Sequence, residues 1–226
     1  MIDFIKILEL EFRKNADPEI AAGQKAYMKN QFEFLGIKTP LRREIQRPFL
    51  TKKHLPLKNN LEQIVKTFWA KPEREFQYFA QELAQKYTDR FEKKDIKLFE
   101  FMITHKSWWD SVDFIAPKLV GEYFKVYSGQ RNKYVEKWIA SENIWLQRTS
   151  ILFQLKYEDE LDKEFLAYII NSLLGSNEFF INKAIGWILR QYSKKDPAWV
   201  NDFTNKTPLD KLSRKEALRL IAEKNI

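Results

Sequence analysis

The chain has 226 residues, 44% of them hydrophobic and 15% aromatic, and 39 lysines and arginines against 31 acids give it a net charge of +8. That is sequence enough for one globular domain, residues 1–226, and too apolar for a disordered chain, while the basic excess suits nucleic acid or an acidic membrane surface. Without cysteine there is no disulfide framework, thiol nucleophile or thiolate metal site, and the two histidines, His54 and His105, lack metal-ligand spacing and read as solvated, so no metal or other cofactor is expected.

In chain order the pattern is helical. The opening MIDFIKILELEFRKN sets Phe4, Ile7, Leu8 and Phe12 on one face, with acids and bases between them, an amphipathic helix rather than a signal peptide. Asp17-Pro18 is a helix start, with aspartate as cap and proline at the first helical position, and the helix runs to about Met28. A connector around Phe32–Gly36 follows. Thr39-Pro40 opens LRREIQRPFL, which Pro48 bends or ends. Residues 52–59 read as a loop, too short to mark a domain boundary. Further helices are expected at about 60–70, 72–88, 94–104, 107–126, 130–140, 143–157, 160–174 and 177–193, with one or two short ones beyond Pro197, the last being RKEALRLIAEK. No alternating runs flanked by hairpin turns signal strands. No apolar run approaches the roughly 18 residues of a membrane span, so a cytoplasmic protein is expected. No exposed apolar helix argues for a dimer, and a monomer is the default.

Three segments share a layout: KSWWDSVDFIAPKL (106–119), SENIWLQRTSILFQLKY (141–157) and SNEFFINKAIGWILRQY (176–192). Each starts at or beside a serine able to cap a helix (Ser107, Ser141, Ser176), carries aromatics in its first turn, then a polar residue, then an apolar run. KPEREFQYFAQELAQKY (71–87) aligns as a fourth copy. The shared step of 35 residues puts Tyr78, Asp113, Arg148 and Lys183 at equivalent positions. Stacked helical repeats turn such positions into a ladder on one surface. The expected fold is therefore all-α: tandem antiparallel helix pairs, HEAT-like repeats, in a curved solenoid with a basic concave face.

Each candidate residue has a structural reading beside the functional one. Trp109 and Asp113 are four apart and share a helix face, while Trp108 lies about 100° away, so the two tryptophans cannot both point into the core. Ser107-x-x-Asp110 resembles a capping box, which accounts for Asp110 but not Asp113. With stacked helices about 8–10 Å apart, Arg148 can reach Asp113 as an inter-repeat ion pair, or both can straddle a ligand. Lys183 and Trp187 repeat the four-residue spacing, although Trp187 corresponds to Leu152 one repeat back, an ordinary core type. In the N-terminal third, Lys25, Lys29, Lys38, Arg42, Arg43 and Arg47 are basic, and Thr39, Arg43 and Arg47 share a face that suits phosphate contacts or simply solvent.

Taken together, YMKNQFEFLGIKTPLRRE (27–44), ITHKSWWDSVD (103–113), KWIASENIWLQRTSILFQLKY (137–157) and FFINKAIGWILRQY (179–192) resemble the AlkD family of bacterial DNA glycosylases over nearly the whole chain. The resemblance implies tandem helical repeats that bind duplex DNA and an enzyme that removes N3- and N7-alkylated purines, such as 3-methyladenine and 7-methylguanine, without a base-flipping pocket. It puts the catalytic positions on Trp109, Asp113, Arg148 and Trp187, all of the expected type. It implies DNA contacts from the N-terminal basic region (Tyr27, Lys29, Lys38, Thr39, Arg43, Arg47) and from Lys183. In that scheme Asp113 stabilises an oxocarbenium-like sugar and directs a water, the tryptophans face the cationic nucleotide, and Arg148 holds a flanking phosphate and keeps Asp113 ionised. Two rivals stay open: a non-catalytic HEAT-repeat scaffold for DNA or protein, and a lyase using a lysine such as Lys183.

Overall fold

The computed structural model describes residues 2–222. These fall into two compact units, one up to Phe91 and one from Glu92 on. The described residues contain α-helices, short 3-10 turns and one π turn, and no strands.

The first unit holds α1 (Ile2–Lys14), α2 (Pro18–Tyr27), α3 (Thr39–Gln46), α4 (Leu61–Ala70) and α5 (Arg74–Gln85). The Asp17 carboxylate caps α2 by accepting from the N–H groups of Glu19 and Ile20, and Pro18 sits where a missing N–H costs nothing. Beyond the cap residue Met28, Lys29 and Asn30 adopt left-handed backbone, φ 55° and 57°, which ends the helix. Pro48 falls in a 3-10 turn, Arg47–Leu50, that closes α3. The connector after α2 is pinned from inside: the Glu75 carboxylate, on α5, accepts from the N–H groups of Leu35, Gly36 and Ile37 at 2.9–3.1 Å. Burial pushes the Glu75 carboxyl above its ordinary value, and those backbone bonds oppose the shift. Gly36 is required there, since its φ is +88° and a Cβ would lie 1.9 Å from the Asp17 carbonyl oxygen. Phe12, Phe68, Phe76 and Phe79 form the core, with ring centroids 5.1–6.4 Å apart. Such pairs add about 0.5–1.5 kcal/mol each beyond area burial.

The second unit runs α6 (Asp95–Thr104), α7 (Trp109–Ile115), a π turn (Ala116–Val120), α8 (Gly121–Val126), α9 (Ser128–Ile139), α10 (Ile144–Leu152), α11 (Lys163–Ser172), α12 (Phe179–Tyr192), α13 (Pro197–Lys206) and α14 (Lys211–Ala222). The single helix expected over 107–126 is thus interrupted. Pro117 has no N–H to give the Asp113 carbonyl four residues back, and its ring crowds that oxygen, so the turn widens. Past the π turn, Gly121 lies so close to the Phe153 carbonyl that a Cβ would stand 2.5 Å away, and Tyr157 Oη donates to the Gly121 carbonyl at 2.7 Å. Residues 223 and 224 of the expected last helix lie outside the described residues.

The repeated serines do not cap the helices that follow them as side-chain acceptors at the N-cap. Ser107 Oγ donates to the Ile103 carbonyl and Ser141 Oγ to the Trp138 carbonyl, closing the helices before them. The Ser107–Asp110 capping box is accordingly absent, and Trp108 is the residue at the N-cap of α7. Ser176 Oγ accepts from the N–H of Glu178, the residue directly ahead of α12. Side-chain caps come instead from Asn143 for α10, Asp162 for α11, Asp196 for α13 and Asp210 for α14. A second repeated device sits one residue before the ladder. Gln77 Nε2 donates to the Phe68, Trp69 and Lys71 carbonyls, Gln147 Nε2 to Ile139 and Ser141, and Asn182 Nδ2 to Ser176. At steps of 70 and then 35 residues, one amide side chain ties the loop before each helix to that helix's first turns.

Candidate active site

The ladder of the second unit converges on one cleft. Trp109 and Asp113 come from α7, Arg148 from α10, Phe179, Phe180, Lys183, Trp187 and Arg190 from α12, and Glu216 and Arg219 from α14; together they line a space of about 420 Å³. An aromatic cluster fixes the three helix starts behind it. Trp108, Trp145 and Phe180 pack with ring centroids 5.0–5.7 Å apart, one from the N-terminal end of each of α7, α10 and α12. The first-turn aromatics of the repeat therefore bring equivalent positions of successive helices together. They also settle the tryptophan pair, with Trp108 in this cluster and Trp109 in the cleft wall.

Asp113 and Arg148 form a two-pronged ion pair. Arg148 Nε donates to Asp113 Oδ1 at 2.8 Å and Nη2 to Oδ2 at 2.9 Å, while Nη1 donates to the Phe180 carbonyl. The Arg148 side chain is 4% exposed and that of Asp113 18%, so the pair is buried on the arginine side and open to the cleft on the carboxylate side. The guanidinium is committed to Asp113 and the Phe180 carbonyl rather than to an open face where a phosphate could meet it. A bidentate arginine fixes a carboxylate in plane as well as in place. Burial raises the Asp113 carboxyl above its ordinary value, the Arg148 contact opposes this, and nearby Asp110 adds to it.

A second charged group stands across the cleft. Glu216 is 7% exposed. Its Oε2 accepts from Lys183 Nζ at 2.6 Å, its Oε1 is paired with Arg190, and Arg219 lies at 3.8 Å. Helix α14 comes this close because α12 presents Gly186, where a Cβ would meet the Cβ of Glu216 at 2.5 Å and the Ser213 carbonyl oxygen at 2.9 Å. Ser213 Oγ also donates to the Asn182 carbonyl at 2.8 Å. Burial and the Arg190 and Arg219 guanidiniums push the Lys183 ammonium below its ordinary value. Sequence reading missed Glu216, Arg190 and Arg219. An acid between bases in RKEALRLIAEK reads as part of a solvated face, and only the glycine in GWILR hinted that a helix packs closely there.

The basic residues singled out in the first unit are surface residues. Tyr27 is 72% exposed, and Lys29, Lys38, Thr39, Arg43 and Arg47 are exposed as well. Arg42 differs from its neighbours: it is buried, its Nη2 bonds Glu82 at 2.9 Å and its Nη1 bonds Gln46 at 2.8 Å. His54 and His105 are exposed, and the described residues hold no group of three or more histidines and acids able to bind a metal ion. Among the described residues no helix is long and apolar enough to cross a membrane.

Chemically, the cleft offers a carboxylate locked in orientation, aromatic faces on two sides and a cationic rim. Of its six charged residues four are basic, so it favours an anionic ligand that carries a cationic or electron-poor centre to Asp113. The described residues form an all-helical protein of repeated helix units, with the cleft between helices of the second unit. The match to the family described as DNA alkylation repair enzyme extends over residues 8–221, and the chain belongs to that family. It is similar in structure to a predicted DNA alkylation repair enzyme from Enterococcus faecalis, with 34% identity, a TM-score of 0.85, and 92% of this chain and 97% of that one covered. The comparison with curated proteins returned no match. Family membership makes DNA the substrate and repair of alkylation damage the role.

Proposed function

We propose that the protein is a monofunctional DNA glycosylase that hydrolyses the N-glycosidic bond of N3- and N7-alkylated purines in duplex DNA. The observation that carries the reading is the Asp113 carboxylate, gripped by Arg148 and lining an aromatic-walled, cation-rimmed cleft. Alkylation at N3 or N7 gives the purine a positive charge. When the bond to C1′ breaks, its electron pair neutralises the base, so no general acid is needed. Positive charge moves to the sugar, where a fixed carboxylate in a partly dry site stabilises it most effectively. A water then adds its oxygen to C1′ and gives its proton to Asp113 or to solvent. Trp109 and Trp187 supply π faces to the cationic nucleotide, worth about 0.5–2 kcal/mol each. Arg148 keeps Asp113 ionised and oriented, and Lys183 attracts a phosphate.

Enzymes that act on neutral bases flip them into a closed pocket and help them leave. Here the contacts fall on sugar and backbone, and the charge on the lesion supplies the discrimination. In the first unit, the exposed Tyr27, Lys29, Lys38, Thr39, Arg43 and Arg47 serve as contacts to the duplex backbone.

The test is base release, scored by chromatography, from duplexes containing 7-methylguanine or 3-methyladenine, beside duplexes containing uracil or hypoxanthine. Release of the methylated purines alone is expected. Release of uracil would contradict the charge-based mechanism. DNA binding without any release would make the protein a binding scaffold.

A further inference from the structure

Glu216 has no part in the mechanism above, yet it is the more deeply buried of the cleft's two acids and stands 2.6 Å from Lys183. We propose that Glu216 is a positioning residue that holds Lys183 as a fixed ammonium at the cleft, so that Lys183 attracts phosphate and does not act as an amine nucleophile on an abasic sugar. The second half rests on the proposed function, which makes abasic DNA the product.

The charged groups facing Lys183 are Arg190 on its own helix, Glu216 and Arg219 from α14, and, across the cleft, Arg148 on α10 and Asp113 on α7. Arg148 and Asp113 satisfy each other. Near Lys183 that leaves two guanidiniums and one carboxylate. The guanidiniums and burial disfavour an ammonium, and the carboxylate that contacts it, at 2.6 Å, is that of Glu216. The carboxylate cannot swing away. Its helix is locked against Gly186, where no side chain separates α12 from α14, and its other oxygen is paired with Arg190.

Losing that carboxylate would free a lysine to shed its proton beside a sugar. Such an amine attacks the C1′ aldehyde of a ring-opened abasic site: the nitrogen lone pair forms the C–N bond, the carbonyl oxygen leaves as water, and an imine remains. Borohydride then delivers hydride to the imine carbon while the nitrogen takes a proton from water, which leaves a stable secondary amine.

The experiment compares native protein, Glu216→Gln and Glu216→Asp, with circular dichroism to confirm folding. In the free protein, acetylation of Lys183 is followed by mass spectrometry across pH. Glu216→Gln should move the midpoint to lower pH and speed labelling at pH 8 about tenfold, while Glu216→Asp keeps the native midpoint. Greater accessibility alone would raise labelling equally at every pH, so an unmoved midpoint in folded Glu216→Gln overturns the proposal. In the second arm a ready-made abasic duplex is added with borohydride, so neither arm depends on base release. Glu216→Gln should cross-link through Lys183, and the native protein and the Glu216→Gln, Lys183→Arg double variant should not. A lowered midpoint without a cross-link would overturn the nucleophile half. A cross-link in the native protein would overturn the claim that Glu216 suppresses one.

Discussion

Replacing Arg148 with methionine keeps most of the side chain's volume and removes its charge and donors. The Asp113 carboxylate, 18% exposed, would then have no cation bonded to it, and the Phe180 carbonyl would lose a donor. Removing one partner of a buried ion pair costs about 3–5 kcal/mol. Because Asp113 opens onto the cleft and can recruit water, the low end applies, about 3 kcal/mol, which lowers the melting temperature by about 6–12 °C for a chain of this size. The loss should depend on the charge at position 113. Asparagine there has no charge to strand, so adding Arg148→Met to Asp113→Asn should cost less than Arg148→Met alone, with a coupling of about 1–3 kcal/mol. Denaturant unfolding of native protein, both single variants and the double variant measures it. Equal cost of Arg148→Met in both backgrounds would refute the reasoning, since the pair would then contribute nothing as a pair.

Base release should rise with pH as Asp113 ionises and level off above, with a midpoint above the ordinary aspartate value of 3.8, because burial raises that carboxyl. The matching stability effect has the opposite sense: a carboxyl raised on folding binds its proton more tightly in the native state, so its contribution falls as pH climbs from the unfolded to the folded value. A pH–rate midpoint at or below 3.8 would contradict the burial of the reacting form. Gly186→Ala should force α12 and α14 apart at Glu216 and cost about 1–3 kcal/mol, read as a lower denaturation midpoint; an unchanged midpoint would show that the helices do not approach as described. Arg43→Gln and Arg47→Gln should each weaken DNA binding similarly across sequences and lower the log–log salt slope by about 0.9, measured by fluorescence titration at several salt concentrations. An unchanged slope would remove that residue from the DNA-contacting set.

The helices and their order were legible because periodicity, the Asp17-Pro18 start and scarce glycine all point the same way. The 35-residue step also brought Asp113, Arg148 and Lys183 to one register, and the first-turn aromatics that define the repeat are the residues that pack the helix starts together. What escaped the sequence depends on which partner a side chain meets. Ser107 and Ser141 turned back to the helix behind them because a carbonyl four or three residues earlier was within reach. Pro117 sits inside an otherwise helical run, and pattern alone does not say whether such a proline ends, kinks or widens a helix. Nothing in the pattern marks Glu75 or Glu216, since each is buried on a contact made by a distant segment: the 35–37 connector for one, the α12 cations for the other. Arg42 lies one residue from Arg43 yet is buried and bonded to both Gln46 and Glu82, whereas Arg43 stays exposed with the same Glu82 carboxylate 3.8 Å away.

The most direct test of the central claim is single-turnover release of 7-methylguanine by native protein and by Asp113→Asn, with DNA affinity measured in parallel. A loss of at least about 100-fold in rate with affinity nearly unchanged is predicted, because the carboxylate acts on charge that develops only in the transition state. Release by Asp113→Asn at the native rate would contradict the account.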